Sequence, residues 1–298
     1  TLQRLSNSRY IYSQRGIGQL SDIYHERDPF SPIKYSYDGV TTIFREHGEK
    51  QDIEVIESQY FGKMLLLDGV VQVTEKDEFF YHEMLVHVAM HSHGSATRVL
   101  IIGGGDGGSL REVLKYPGVE DVVLVEHDEK VVEVSKLYFP GLSLGFSDVR
   151  TSIVFHDGVD YLKSITDGLD LVIVDSTDPV GGAEGLYSEE FFLLVYNALR
   201  DNGMLVIQSE SLHFHREFVI QVQKRLGSVF KYADLHTQSL STYAGNWWTF
   251  SIGSKSLDPR MVRQMNHIDT RYYHRDIHSW LFLPTRVYSG IMDGSLQW

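Results

Sequence analysis

The chain contains no cysteine, which removes disulfides and thiolate metal ligands from consideration and suits a reducing compartment, so a cytoplasmic location is expected. No run of 18 apolar residues occurs, and no basic segment leads into an apolar one. Neither a membrane span nor a signal peptide is therefore expected. Positive charge is in short supply: 27 Lys and Arg stand against 40 Asp and Glu, a formal net charge of -13. Such a chain repels nucleic acid and anionic membrane and draws in cations, although acidity also serves plain solubility. Internal repeats and low-complexity tracts are absent as well. With 298 residues, 42% of them hydrophobic, the chain can bury a full core in one large domain, or in one large and one small.

Residues 1–22 are polar and mixed, with no firm period. From Ile33 to Glu75 the runs YSYDGVTTIFREHG, DIEVIESQYFG and KMLLLDGVVQVTE are short, β-branched and aromatic, with Gly or Asp-Gly between them. They predict a small antiparallel unit of hairpins. DEFFYHEMLVHVAMHSH carries apolar residues at helical spacing behind acidic first-turn residues, which predicts a helix over 78–89. Beyond Ala96 the rhythm becomes strand, loop, helix. Strands are expected at 98–102, 121–126, 151–155, 170–175 and 203–208, as continuous apolar runs of the kind covered on both faces. Helices are expected at 109–116, 129–137, 159–164, 189–199 and 214–226, and TQSLSTYAGNWWTFSIGS adds antiparallel strand material at one edge. The pattern predicts an α/β doubly wound sheet over residues 77–298, with a C-terminal helical tail, behind an N-terminal extension and β-hairpin domain over 1–76.

The stretch VLIIGGGDGGSLREVL, residues 99–114, sets Gly103, Gly105 and Gly108 in the spacing G-x-G-x-x-G. Such a turn usually brings backbone N–H groups up to a phosphate or carboxylate, yet Asp106 puts a negative charge there. Ligands of open α/β sheets bind beyond the carboxyl ends of the strands, near the switch in strand order. Five carboxylates are expected at that edge: Asp106 after the first strand, Glu126 ending the second, Asp157 after the third, and Asp175 and Asp178 after the fourth. Each has a plainer reading. Glu126 could mark any nucleoside-binding fold, Asp157 could cap the next helix, and Asp175 and Asp178 could be turn residues. Together they repel, since two charges about 4 Å apart interact by roughly 4 kcal/mol at an effective dielectric of about 20. A crevice built this way favours a positively charged ligand.

The segments GGGDGGSLREVL, VEHDEKVVEVSK, DSTDPVGGAEGLYSEEFF, QSES and RYYHRDIHSWLFLP, with LLLDGVVQVTEKDEFFYHEML ahead of them, strongly resemble the spermidine synthase family of polyamine aminopropyltransferases, over about residues 51–283. The resemblance implies a Rossmann-like sheet of the class I methyltransferase type behind a small N-terminal β-domain. It implies decarboxylated S-adenosylmethionine as aminopropyl donor, a co-substrate, with no metal or other cofactor. An amine would attack the methylene beside the sulfonium, and 5′-methylthioadenosine would leave. Because an alkylamine has a pKa near 10.4, the acceptor arrives mostly protonated and must shed a proton. By resemblance Asp175 accepts it, assisted by Tyr81. Gln51, Gln72, Gly103, Gly105, Glu126, His127, Asp157 and Gly158 are implied donor contacts, with Glu126 on the ribose and Asp157 and Gly158 on the adenine edge. Asp106 and Asp175 would hold the donor's ammonium. His82, Asp106, Asp175, Asp178, Tyr243 and Trp248 are the implied acceptor side, and loop 176–186 is the implied lid. Implied partners are a small cationic amine and the sulfonium donor, with a homodimer or homotetramer and no nucleic acid or membrane.

Departures from the family pattern fall on the acceptor side. Tyr24 and Glu26 stand where a Trp-bearing motif is common, PVGGAEG carries Gly182 where proline is common, TYAGNWW replaces a Tyr-Pro-Ser-Gly run, and RDPFSPIKYSYDG has an unusual proline spacing. Putrescine is the default acceptor, with agmatine, cadaverine and spermidine open. A putrescine N-methyltransferase, an NAD-dependent dehydrogenase and a polyamine-binding scaffold are the competing readings. Asp106 disfavours the methyltransferase, because it would repel the carboxylate of S-adenosylmethionine. Glu83, His87 and His91, spaced by four, are read as a packed or solvated helix face rather than a zinc site. His213, His215 and Trp247 are candidates for the acceptor side.

Overall fold

The computed structural model describes residues 22–27, 33–48, 50–166, 168–178 and 181–296. Residues 1–21, 28–32 of the proline-bearing segment, and 179 and 180 of the expected lid lie outside them.

Five antiparallel strands form the first sheet, in the order β1 (Asp22–Arg27), β2 (Lys34–His47), β3 (Asp52–Ser58), β4 (Gly62–Leu67) and β5 (Val70–Thr74). The β4–β5 hairpin turns on Asp68 and Gly69 at φ 50° and 81°. Two positive φ angles make the tight turn that Asp-Gly favours between twisted strands. One face of this sheet packs Ile53, Val55, Leu65, Leu67 and Val73 against the following domain's α3 (Glu129–Tyr138), through Val131 and Val134.

The second sheet has seven strands. It contains β6 (Arg98–Gly103), β7 (Asp121–Glu126), β8 (Thr151–Phe155), β9 (Leu169–Asp175), β10 (Leu199–Ser211), β11 (Tyr232–Ser239) and β12 (Trp247–Ser254), in spatial order β11-β12-β10-β9-β6-β7-β8. The five strands from β8 to β10 run parallel, and β12 is antiparallel to both β10 and β11. The continuous apolar runs serve two cores at once, because successive strand residues point to opposite faces. Val99 and Ile101 join α1 (Glu78–His93) and α2 (Gly108–Leu114) on one face. Leu100 and Ile102 join α5 (Glu189–Ala198) and α6 (Arg216–Val229) on the other. The chain lays β6, β7 and β8 outward in one direction and returns to set β9 on the far side of β6. This is the class I methyltransferase-type order, and its switch point falls between β6 and β9.

The remaining helices are α4 (Gly158–Leu162), α7 (His278–Leu281) and α8 (Thr285–Met292). Most expected elements lie within a few residues of those observed. Two differ more. β10 starts at Leu199 rather than 203, and α1 runs four residues past the expected end, to His93, where Gly94, with a φ of 84° and an N–H bond to the Met90 carbonyl, closes it. Nor is α1 amphipathic: every residue from Tyr81 to His93 is buried. The far side of α1 is covered by the chain after β12, where Arg263 N–H bonds the His91 carbonyl at 2.7 Å. Of the packed or solvated face expected at Glu83, His87 and His91, the structure shows the packed one, with internal partners. Glu83 accepts the backbone N–H groups of Arg271, Tyr272 and Tyr273 at 2.6, 2.8 and 2.7 Å. His87 bonds Tyr116 and Glu112 at 2.7 and 2.8 Å.

Glu83→Ala would leave three backbone N–H groups, among them that of buried Tyr273, without their acceptor, so it is expected to destabilise the fold by about 1–3 kcal/mol, read from urea unfolding. A loss under about 0.5 kcal/mol would show that the tail does not depend on this carboxylate.

Candidate active site

A cavity of about 650 Å³ opens at the switch point, roofed by residues of the first sheet. The glycine loop builds its floor by close approach. Gly103 pairs in register with Asp175, the last residue of β9. A Cβ on Gly103, whose φ is 79°, would sit 2.2 Å from the Asp175 carbonyl oxygen. The Gly104 N–H donates to that oxygen at 2.7 Å. A Cβ on Gly105 would lie 2.7 Å from Glu126 Oε2, and one on Gly108 would overlap the His82 ring. The glycines make room for acidic strand ends, which answers why an aspartate can stand in the loop.

The five carboxylates expected at the strand ends all line this cavity, with Glu26, Asp68 and Glu210, against Arg27 and Lys50 alone of Lys and Arg among the described residues. Glu126 accepts the N–H groups of His127 and Asp128 at 2.7 and 3.0 Å. Burial nevertheless pushes its carboxyl up to about 7. Asp157 is both cavity wall and helix cap: its Oδ1 accepts the Asp160 N–H at 2.9 Å at the start of α4. Gln51 lines the cavity while bonding Asp128 at 3.0 Å, and Gln72, also in the wall, bonds the Val70 carbonyl at 3.2 Å. His127 and Gly158 complete this side.

On the β9 side, Asp175 is held by two hydroxyls. Tyr81 donates to Oδ1 at 2.8 Å and Ser109 to Oδ2 at 2.6 Å. Burial raises the Asp175 carboxyl above its ordinary value, and neighbouring Asp106 adds to this against the pull of His82 and the two hydroxyls. Burial likewise pushes the Tyr81 phenol well up, with the Asp175 charge beside it, so the phenol stays a neutral donor. Tyr243, whose hydroxyl bonds the Gln72 carbonyl of the first sheet, lies tilted against Trp248 at 4.7 Å between ring centroids. With Asp178, these aromatic faces line the cavity.

One expectation needs correction. His82 does not face the cavity: it is buried behind Asp106, because its Nδ1 pairs with Glu78 at 2.8 Å and draws the ring inward. Neither His213 nor Trp247 is in the cavity wall, although His215 and Trp248 are. The lid segment is partly helical, with a 3-10 helix over Gly181–Tyr187. Other residues escaped the sequence. Ser109 follows the glycine loop directly, and its reach to Asp175 depends on α2 starting at Gly108. Glu210 occupies φ 69°, a left-handed position rare for a side-chain-bearing residue, and pairs with His215 at 2.9 Å.

Fold and cavity together define an α/β protein of methyltransferase type with an acid-lined ligand crevice. Residues 78–264 match the spermine/spermidine synthase domain, and residues 24–75 match the spermidine synthase tetramerisation domain. The chain is 49% identical to a polyamine aminopropyltransferase of Hydrogenobaculum sp. (strain Y04AAS1), over 94% of this chain and 100% of that one. It is 48% identical to polyamine aminopropyltransferase 1 of Aquifex aeolicus (strain VF5), over 93% and 99%. Among solved structures, a spermidine synthase in complex with the transition-state analogue AdoDATO superposes with a TM-score of 0.87 at 32% identity, covering 95% of this chain and 99% of that one. The spermidine synthase of Thermotoga maritima gives 0.86 at 32%, covering 95% and 98%. The chain belongs to the spermine/spermidine synthase family and is an aminopropyltransferase.

Gly103→Ala is expected to cost about 2–4 kcal/mol in unfolding free energy, from a positive φ and a backbone clash together. Gly118→Ala, with open space around it, should stay within about 0.5 kcal/mol. Equal small effects at both positions would show that the loop does not need this approach.

Proposed function

We propose that the chain transfers the aminopropyl group of decarboxylated S-adenosylmethionine to putrescine, giving spermidine and 5′-methylthioadenosine. The observation that carries this reading is the placement of Asp106 beside Asp175 at the switch point, the second of them half-buried, raised in basicity and fixed by two hydroxyls. The neutral amine nitrogen attacks the methylene next to sulfur. The N–C bond forms, the C–S bond breaks, and its electron pair stays on the departing sulfur. Asp175 takes the proton that the amine sheds, with Tyr81 orienting the carboxylate, while Asp106 takes the donor's terminal ammonium. Glu126 holds the ribose hydroxyls and accepts them in either protonation state. Asp157 and Gly158 face adenine, and Gln51, Gln72 and His127 close the donor pocket. Asp178, Tyr243 and Trp248 receive the alkyl chain and far ammonium of the acceptor, where aromatic faces suit a cation. Holding nitrogen and carbon in line supplies the other large part of the rate.

A second reading of the acceptor has support in the cavity wall. Glu26 and Glu210 add carboxylates there, which suits a longer amine such as agmatine or spermidine. The match of residues 24–75 to a tetramerisation domain supports a homo-oligomer assembled through the first sheet. The absence of cysteine is in keeping with a cytoplasmic enzyme.

Incubation with decarboxylated S-adenosylmethionine and a panel of amines, with methylthioadenosine followed by mass spectrometry, should show turnover fastest with putrescine. No turnover with any amine would sink this reading, and a preference for a longer amine would move the acceptor assignment. Asp175→Asn should lower kcat by about 10²–10⁴-fold. Because Asp175 works ionised and its pKa is raised, kcat should fall as pH drops, and should do so above the ordinary carboxylate range of about 4. An acid limb lying below that range would assign the proton transfer elsewhere.

A further inference from the structure

His82 occupies an unusual position for a histidine next to a catalytic tyrosine. Its ring is buried behind the cavity floor, with Nδ1 2.8 Å from Glu78 Oε2 and Nε2 3.5 Å from Asp106 Oδ1. The ring sits flush against the backbone of Gly108, where any side chain would overlap it. Glu78 does not rely on His82 alone. Arg111 clasps both its oxygens at 3.1 and 2.8 Å and also bonds Glu112 at 2.8 Å. From the cavity inward the signs therefore alternate: Asp106, His82, Glu78, Arg111, Glu112. The other groups facing His82 are the Tyr81 ring, edge-on at 5.2 Å, and the Asp175 carboxylate at the end of β9.

Two carboxylates that share a cavity titrate as a coupled pair, and one tends to keep a proton. A cation placed against only one of them breaks that symmetry and separates their tasks. We propose that His82 is a positioning residue, clamped between Glu78 and Asp106, which holds Asp106 as the ionised carboxylate that reads the donor's ammonium and leaves Asp175 as the proton acceptor. This rests on the donor and base assigned above. The electrostatics agree with the geometry. Burial pushes both carboxyls up, but the His82 imidazolium and the Gly108 N–H carry Asp106 below its ordinary value, whereas Asp175 stays above it. Burial alone would lower His82; Asp106 and Glu78 outweigh it and keep the ring charged.

His82→Gln removes the charge, keeps an amide that can donate, and leaves Glu78 paired with Arg111. Titration calorimetry with decarboxylated S-adenosylmethionine and with methylthioadenosine, between about pH 5.5 and 8, reads the effect without turnover. Without the imidazolium Asp106 takes up a proton at higher pH. Donor affinity should therefore fall about tenfold at the acid end, with the gap narrowing as pH rises. Methylthioadenosine has no ammonium, and its affinity should stay within about twofold. In an Asp106→Asn background His82→Gln should add almost nothing further. Equal losses for both ligands would reduce His82 to a structural role. A raised acceptor KM with unchanged donor affinity would return it to the acceptor side, and additive losses would separate it from Asp106. A wild-type chain that binds the donor yet transfers to no amine would count against the proposed function and leave the His82 result readable.

Discussion

The site depends on how closely one loop approaches the ends of its neighbouring strands. Gly103 meets the Asp175 backbone, Gly105 the Glu126 carboxylate and Gly108 the His82 ring, each at a distance that leaves no room for a Cβ. Two acidic strand ends are thereby gathered beside the loop's own Asp106 at the mouth of one switch point. A phosphate cradle would aim its N–H groups outward at an anion. Here the Gly104 N–H is spent on the Asp175 carbonyl and the Gly108 N–H on the Asp106 side chain. The loop thus offers a ligand carboxylate oxygens, and the chemistry it suits is that of a sulfonium and an ammonium.

Concentrating negative charge in a buried place is costly, and the structure answers it from beneath. The helix α1 is buried from Tyr81 onward and carries Glu78, His82, Glu83 and His87, each with a side-chain partner or a set of backbone donors. Breaking one member of such a network costs more than the network as a whole contributes. The same helix presents Tyr81 to Asp175, so one element carries both the hydroxyl that holds this carboxylate and the charges beneath the floor. Tyr243, bonded to the Gln72 carbonyl, ties the first sheet down over this floor.

Much of this was legible in the sequence, for particular reasons. Five apolar strand runs, each separated by a helix, define the sheet because parallel strands are buried on both faces. The strand-end positions of Asp106, Glu126, Asp157, Asp175 and Asp178 follow from the same pattern. The length of α1 was not legible, since its periodicity is erased by burial on every side and its cover comes from residues 258–283, far along the chain. His82 was misread for a related cause: i, i+4 spacing to Glu78 does not reveal which way the ring turns. Ser109 and Glu210 act through where a helix starts and through one unusual backbone angle, neither of which a one-dimensional pattern records.

The central claim is that an aspartate in the glycine loop selects a donor without a carboxylate. The most direct measurement is the ratio of affinities for decarboxylated and intact S-adenosylmethionine, in the wild-type chain and in Asp106→Asn. The wild type should prefer the decarboxylated form by about 100-fold or more, and the substitution should erase at least about tenfold of that preference. A ratio near unity in the wild type, or one untouched by the substitution, would contradict it.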